Sequence, residues 1–223
     1  MLDQMDNSQS YSNIAGEIYS LKELKSLCKN ISSCKTMNLH GNDIQTMIGI
    51  DTMPNLTSLN LSSNRIHDIS GLNTLVYLHE LDLRANCIVH LDGLEGAIHL
   101  TKVNLSHNMV KDLSIFSKFE SNWPNLTHLE VIDNQISEVS QIKHLINCAS
   151  LKSLSFQTKE CKLQNPICSD PRYTSNLISL LPPSDVATAT TKWHRRYIEL
   201  ELIDNHDVEL FRKSVLSISA TAS

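Results

Sequence analysis

The chain has 223 residues, an apolar fraction of 41% and a formal charge of −5, which suits a folded protein of one large or two small domains and excludes a disordered one. Its lysines and arginines are scattered, so no basic stripe exists to neutralise a phosphate backbone, and direct nucleic-acid binding is not expected. "MLDQMDNSQSYSN" carries acids and amides where a signal peptide needs a basic start and an apolar run, and no segment approaches 18 consecutive apolar residues. The expected compartment is therefore the cytoplasm, with no membrane partner.

Residues 1–33 read as an N-terminal segment and capping helix. Ile18, Leu21, Leu24, Cys28 and Ile31 recur at helical spacing across 17–32, on a stretch placed to cover whatever follows. A helix that docks on a partner is the alternative.

From residue 34 to 160 the chain repeats itself. Copies start at Cys34, Leu56, Leu78, Leu100, Leu126 and Leu151, with spacings of 22, 22, 22, 26 and 25 residues. In the second copy Leu56, Leu59 and Leu61 lead to Asn64 and Ile66, then Ile69, Leu72 and Leu75. This is the pattern of a leucine-rich repeat. The alternation predicts a short strand with one buried face, and the later spacing of three predicts a 3₁₀ or α turn on the opposite side. Five copies are clear. In the sixth, Leu151, Leu154 and Phe156 are followed by Lys159 where the asparagine belongs, so this coil reads as degenerate.

Each coil buries about seven apolar side chains worth roughly 1.5–3 kcal/mol apiece, against an ordering cost of about 1–2 kcal/mol for every backbone residue. One coil cannot fold alone, and stacking supplies the shared core. The expected fold is therefore α/β, a right-handed leucine-rich repeat solenoid with a parallel concave sheet and a helical or 3₁₀ convex side. Asn42, Asn64, Asn86, Asn108 and Asn134 are expected to form a structural ladder, since a carboxamide both donates and accepts where buried chain turns away from a strand.

Residues 161–185 carry Asn165-Pro166-Ile167-Cys168, Pro171, Tyr173 and a Leu-rich stretch ending at Pro182. Here the chain resembles intracellular leucine-rich repeat proteins of the 22-residue class, such as the regulator of type-1 protein phosphatase, the axonemal dynein light chain and the spliceosomal A′ protein, whose C-terminal cap has this plan. "QTKECKLQ" departs from that plan by inserting about six residues before Asn165. The resemblance implies a non-enzymatic scaffold or regulatory subunit, in a ciliary or cytoskeletal, phosphatase or ribonucleoprotein setting in that order. The phosphatase-contacting residues of that family do not recur here as a set. Residues 186–223 form a linker and a tail of ambiguous structure, in which Trp193, Tyr197 and Phe211 pack back on the solenoid or meet a partner.

No catalytic motif, cofactor loop or metal-ligand spacing is present: GxSxG, HExxH and a phosphate-cradling glycine loop are all missing, and the histidines fall at scattered repeat positions. Six cysteines in so long a chain read as reduced thiols, several in core positions. Function in a solenoid is more often on the concave face, so Glu80, Asp82, Arg84, Lys102, Asn104, His128 and Glu130 are the expected contacts with a protein partner. The opposing view is a solvated sheet whose charges pair with one another. A secreted recognition protein glycosylated at Asn55, Asn60, Asn104 or Asn125 is the alternative from another class. Those four sequons fall at repeat-specified places, which makes them by-products of the register.

Overall fold

The computed structural model describes residues 10–11, 18–28, 30–117, 123–148, 150–158, 162–178, 202–203 and 206–207. In each of the six copies the alternating motif becomes a three-residue strand whose central residue is buried. These strands are β2 (Thr36–Asn38), β3 (Ser58–Asn60), β4 (Glu80–Asp82), β5 (Lys102–Asn104), β6 (His128–Glu130) and β7 (Ser153–Ser155). Neighbours pair in parallel at the repeat spacing, Leu59 beside Leu81 beside Val103, so the register of the sequence is the register of the sheet.

Three further strands extend the sheet. β1 (Ser10–Tyr11) pairs in parallel with β2 in front, and at the rear β8 (Leu202–Ile203) pairs in parallel with β7 before β9 (His206–Asp207) turns back antiparallel. The nine strands lie in chain order. One hydrophobic cluster runs from Ile18 to Leu177 behind the sheet.

After each of β2 to β6 the chain leaves the sheet through one left-handed residue and then an asparagine. Gly41 takes that conformation at φ +70°, and Ser63, Ala85, His107 and Asp133 take it at +52° to +58° despite their side chains. The following asparagine holds two coils at once. Asn86 donates through Nδ2 to the carbonyls of Leu83 in its own coil (2.9 Å) and Leu61 in the preceding one (3.0 Å), while its Oδ1 accepts from Ile66 N–H at 2.9 Å. Asn64, Asn108 and Asn134 repeat this set, and all are buried. Asn42 donates to Leu39 O and accepts from Ile18 N–H, which ties the front cap into the same ladder.

The sixth coil corrects the sequence reading. Its asparagine is Asn165, whose Oδ1 accepts from Ile136 N–H (3.1 Å) and whose Nδ2 donates to Val131 O (2.6 Å) and Phe156 O (2.8 Å). The inserted residues leave and re-enter side by side: Gln157 bridges Gln164 antiparallel, and Thr158 N–H donates to Leu163 O. Lys159 itself lies outside the described residues. A loop pinched at its base thus restores the rung that simple counting misses.

The convex side is built of 3₁₀ turns at Ile50–Thr52, Leu72–Thr74, Leu94–Gly96, Ser114–Phe116 and Val139–Asn147. Gly93 opens its turn at φ +110°, where a Cβ would lie 2.5 Å from Ile69 O, so both conformation and space demand glycine.

The front cap is shorter than expected. Helix α1 spans Leu21–Leu27 only, with Ser20 as N-cap, and Ile31 belongs to a separate 3₁₀ turn at Ile31–Ser33. Because Ile18 N–H is held by Asn42, the backbone there follows the repeat and the helix starts after it. Ile18, Leu21, Leu24, Cys28 and Ile31 are nonetheless all buried.

At the rear, a 3₁₀ turn (Pro166–Ser169) leads to α2 (Tyr173–Ile178), and Tyr173 packs edge-on against Phe156 at 6.0 Å. Arg172 clamps Asp170 with Nε and a terminal nitrogen and with its backbone N–H, holding that carboxyl down at about 2. Of the linker and tail, 186–223, only 202–203 and 206–207 are described, so Trp193, Tyr197 and Phe211 lie outside the described residues.

Candidate functional site: the concave sheet face

The concave face presents the residues that alternate with the buried centres of β2 to β6. Counting the first leucine of a copy as position one, positions three and five point outward: Thr36 and Asn38, Ser58 and Asn60, Glu80 and Asp82, Lys102 and Asn104, His128 and Glu130. Position seven is different. Ser62, Ser106 and Ile132 are buried there, whereas His40 and Arg84 are exposed. On β7, Ser153 and Ser155 are buried too.

Position five turns out to have a structural use. Asn38, Asn60, Asp82 and Asn104 each turn Oδ1 back to accept the N–H two residues on, at 2.9–3.1 Å, so each closes the end of its own strand. Asn60 and Asn104, the acceptor asparagines of two sequons, therefore have their carboxamides engaged. In the fifth copy Glu130 replaces the Asx residue, and it accepts from Asn104 Nδ2 at 2.8 Å.

The charged band pairs across and along the strands. Lys102 Nζ lies 2.8 Å from Glu80 Oε1 on the neighbouring strand, and Arg84 Nε lies 3.3 Å from Asp82 Oδ2. Both pairs are solvated, so each contributes about 0–1 kcal/mol to stability. Their effect is to order the face: the central coils offer alternating, locally cancelled charges held in fixed positions. Of the seven expected contacts, Glu80, Arg84, Lys102, His128 and Glu130 are exposed, whereas Asp82 and Asn104 are half-buried and serve the strand ends.

Hydroxyl–imidazole contacts resemble nucleophile–base pairs, yet their proton inventory points the other way. Ser62 Oγ donates to Asn60 Oδ1 at 2.6 Å, so the 2.8 Å contact with His40 Nδ1 has the imidazole as donor. Ser62 is also fully buried. Ser117 against His144 and Thr127 against His128 have the same polarity, since each hydroxyl gives its proton to a backbone carbonyl. None of these three hydroxyls is activated for attack. Among the described residues no three metal-ligating side chains come together.

Cys28, Cys87 and Cys148 are free thiols, Cys34 Sγ donates to Thr36 O at 3.1 Å, and burial pushes Cys148 up to about 12. Cys161 lies outside the described residues.

In-register parallel strands of one central buried residue, an asparagine ladder and a 3₁₀ back define a leucine-rich repeat solenoid. Residues 54–96 match the family of leucine-rich repeats (2 copies). Solved structures of the same fold include the internalin C2 of Listeria monocytogenes, 21% identical over 91% of this chain and 81% of that one, with a TM-score of 0.59. An internalin F of the same organism is 23% identical over 79% of this chain at a TM-score of 0.54, and the present chain spans only 44% of it. The Drosophila melanogaster SNF/U2A′ complex contains a chain 22% identical over 72% of this one and 79% of its own length, with a TM-score of 0.54. No curated protein sequence matches the chain.

Proposed function

We propose that the protein is a non-enzymatic interaction scaffold that binds a protein partner across the concave faces of its third to fifth copies. The observation that carries this reading is the fixed charge pattern of Glu80, Asp82, Arg84, Lys102 and Glu130 on a rigid sheet, with Asn104 and His128 at the remaining outward positions of these copies. Such a pattern selects by complementarity in place of apolar burial. U2A′, solved in complex with SNF, is a protein-bound instance of a similar fold. The free thiols at core positions 28 and 148 suit a reducing compartment, and we place the protein in the cytoplasm, with a cytoskeletal or ciliary setting ahead of a phosphatase-regulating one.

The test is an inverted pair. Glu80→Lys combined with Lys102→Glu keeps an ion pair on the sheet and reverses what a partner meets. Capture of the partner found in native cells should weaken roughly tenfold or more, with thermal stability unchanged, because like charges then face each other. Unaltered capture by the inverted pair, with capture lost on removal of 186–223, would move the binding site to the tail.

A further inference from the structure

A second surface lies on the flank where the chain enters the strands. Its outermost row is Pro54, Val76, Ile98 and Pro124, followed by Asn55, Tyr77, His99 and Asn125. Val76, Tyr77 and Ile98 are 44–54% exposed, so apolar and aromatic area is presented to solvent at the middle of the solenoid. Beside it is a groove of about 420 Å³ to which His79, His99, Thr101, Asn125, Thr127 and Ser150 contribute. The two imidazoles stack with centroids 6.0 Å apart and planes 17° from parallel, forming an aromatic wall.

The hydrogens of this groove are already assigned. Thr101 Oγ1 donates to His79 O (3.0 Å), Thr127 Oγ1 to Thr101 O (2.9 Å) and Ser150 Oγ to Pro124 O (2.5 Å). His79 Nδ1 meets Tyr77 O at 2.6 Å, and since a carbonyl only accepts, that nitrogen carries a proton. In the neutral ring Nε2 is then an acceptor. Each hydroxyl has spent its one proton on backbone; Thr101 and Ser150 present lone pairs, while Thr127 already accepts from His128 Nδ1 at 2.8 Å. Among the described residues that line the groove there is no lysine, arginine or carboxylate, and the chain as a whole carries a formal net charge of −5.

From this inventory we propose that the flank groove is a docking site for an arginine side chain of a partner protein, with an adjacent apolar residue of that partner resting on Val76 and Ile98. A guanidinium brings five N–H donors to a surface rich in acceptors, a positive charge to a negative protein, and a flat face that stacks on the imidazole wall. A lysine matches the charge and lacks the plane. The site is separate from the concave face, and either can fail without the other.

The repeat supplies fold-preserving variants: His79→Thr and Tyr77→Asn install what Thr57, Thr101, Thr127, Asn55 and Asn125 already provide in neighbouring coils. The probes are acetyl-Leu-Arg-amide and its lysine and citrulline analogues, titrated into the ¹⁵N-labelled full chain. Expected are shift changes centred on residues 77–79, 98–101 and 125–127, about threefold or more stronger for arginine than for either analogue, and abolished by His79→Thr with Tyr77→Asn while the remaining spectrum is unchanged. Equal binding of the lysine analogue, shifts centred on acidic residues elsewhere, no shifts, or full binding by the double variant would each overturn the proposal.

Discussion

Asparagine does the most specific work at the scale of single residues, and it does two different jobs. At position nine its carboxamide is buried and saturated by two coils; at position five it is half-buried and closes its own strand. Position nine was legible in five copies, where spacing is constant. Asn165 was not, because a sequence register cannot show that residues 157 and 164 meet and cancel the insertion between them. The bonding of Asn165 leads to a measurable expectation. Asn165→Ala strands Ile136 N–H and the carbonyl of Val131 in the interior and removes one donor from Phe156 O, which keeps the backbone N–H of residue 165; the loss should cost about 2–4 kcal/mol. Urea unfolding of this variant should match that of Asn86→Ala; a loss under about 0.5 kcal/mol would remove Asn165 from the ladder.

The coil is the element of this fold, and its shape depends on one backbone excursion after the strand in the first five copies and, in the first three, on a second before the 3₁₀ turn. The first, between strand and asparagine, is filled by glycine only at Gly41 and elsewhere by residues with a Cβ; the second is filled by glycine at 49, 71 and 93. These glycines stand in the sequence but their necessity does not, since nothing in the spacing tells that a Cβ at 93 would meet Ile69 O. Gly93→Ala combines left-handed strain of about 1–2 kcal/mol with that collision, so a destabilisation of about 3 kcal/mol or more is expected by thermal or chemical unfolding. In contrast, Ala85 already sits at φ +54°, and Ala85→Gly should stabilise the chain by about 0.5–1 kcal/mol. The reverse order of these two effects would mean the coil geometry is wrong.

For the whole molecule, the fold was legible because one physical demand is repeated: each coil needs its neighbour to bury its leucines, so the same residues recur at the same spacing. The ends were less legible. β1 at Ser10–Tyr11 and β8 at Leu202–Ile203 carry no repeat motif in register with the six copies, and they join the sheet through backbone pairing to exposed strand edges. Surface function was the least legible, since exposed residues answer to partners that the chain does not contain. The sequence pointed to seven concave residues as one set, and the structure divides them into strand-end closers and an exposed charged group. Site-specific photo-crosslinking inside native cells reads that division directly. With a photoreactive residue at Arg84, at Lys102 or, on the convex turn, at Lys143, the account predicts discrete protein adducts from the first two positions and none from the third. Adducts from Lys143 with none from Arg84 or Lys102 would contradict it.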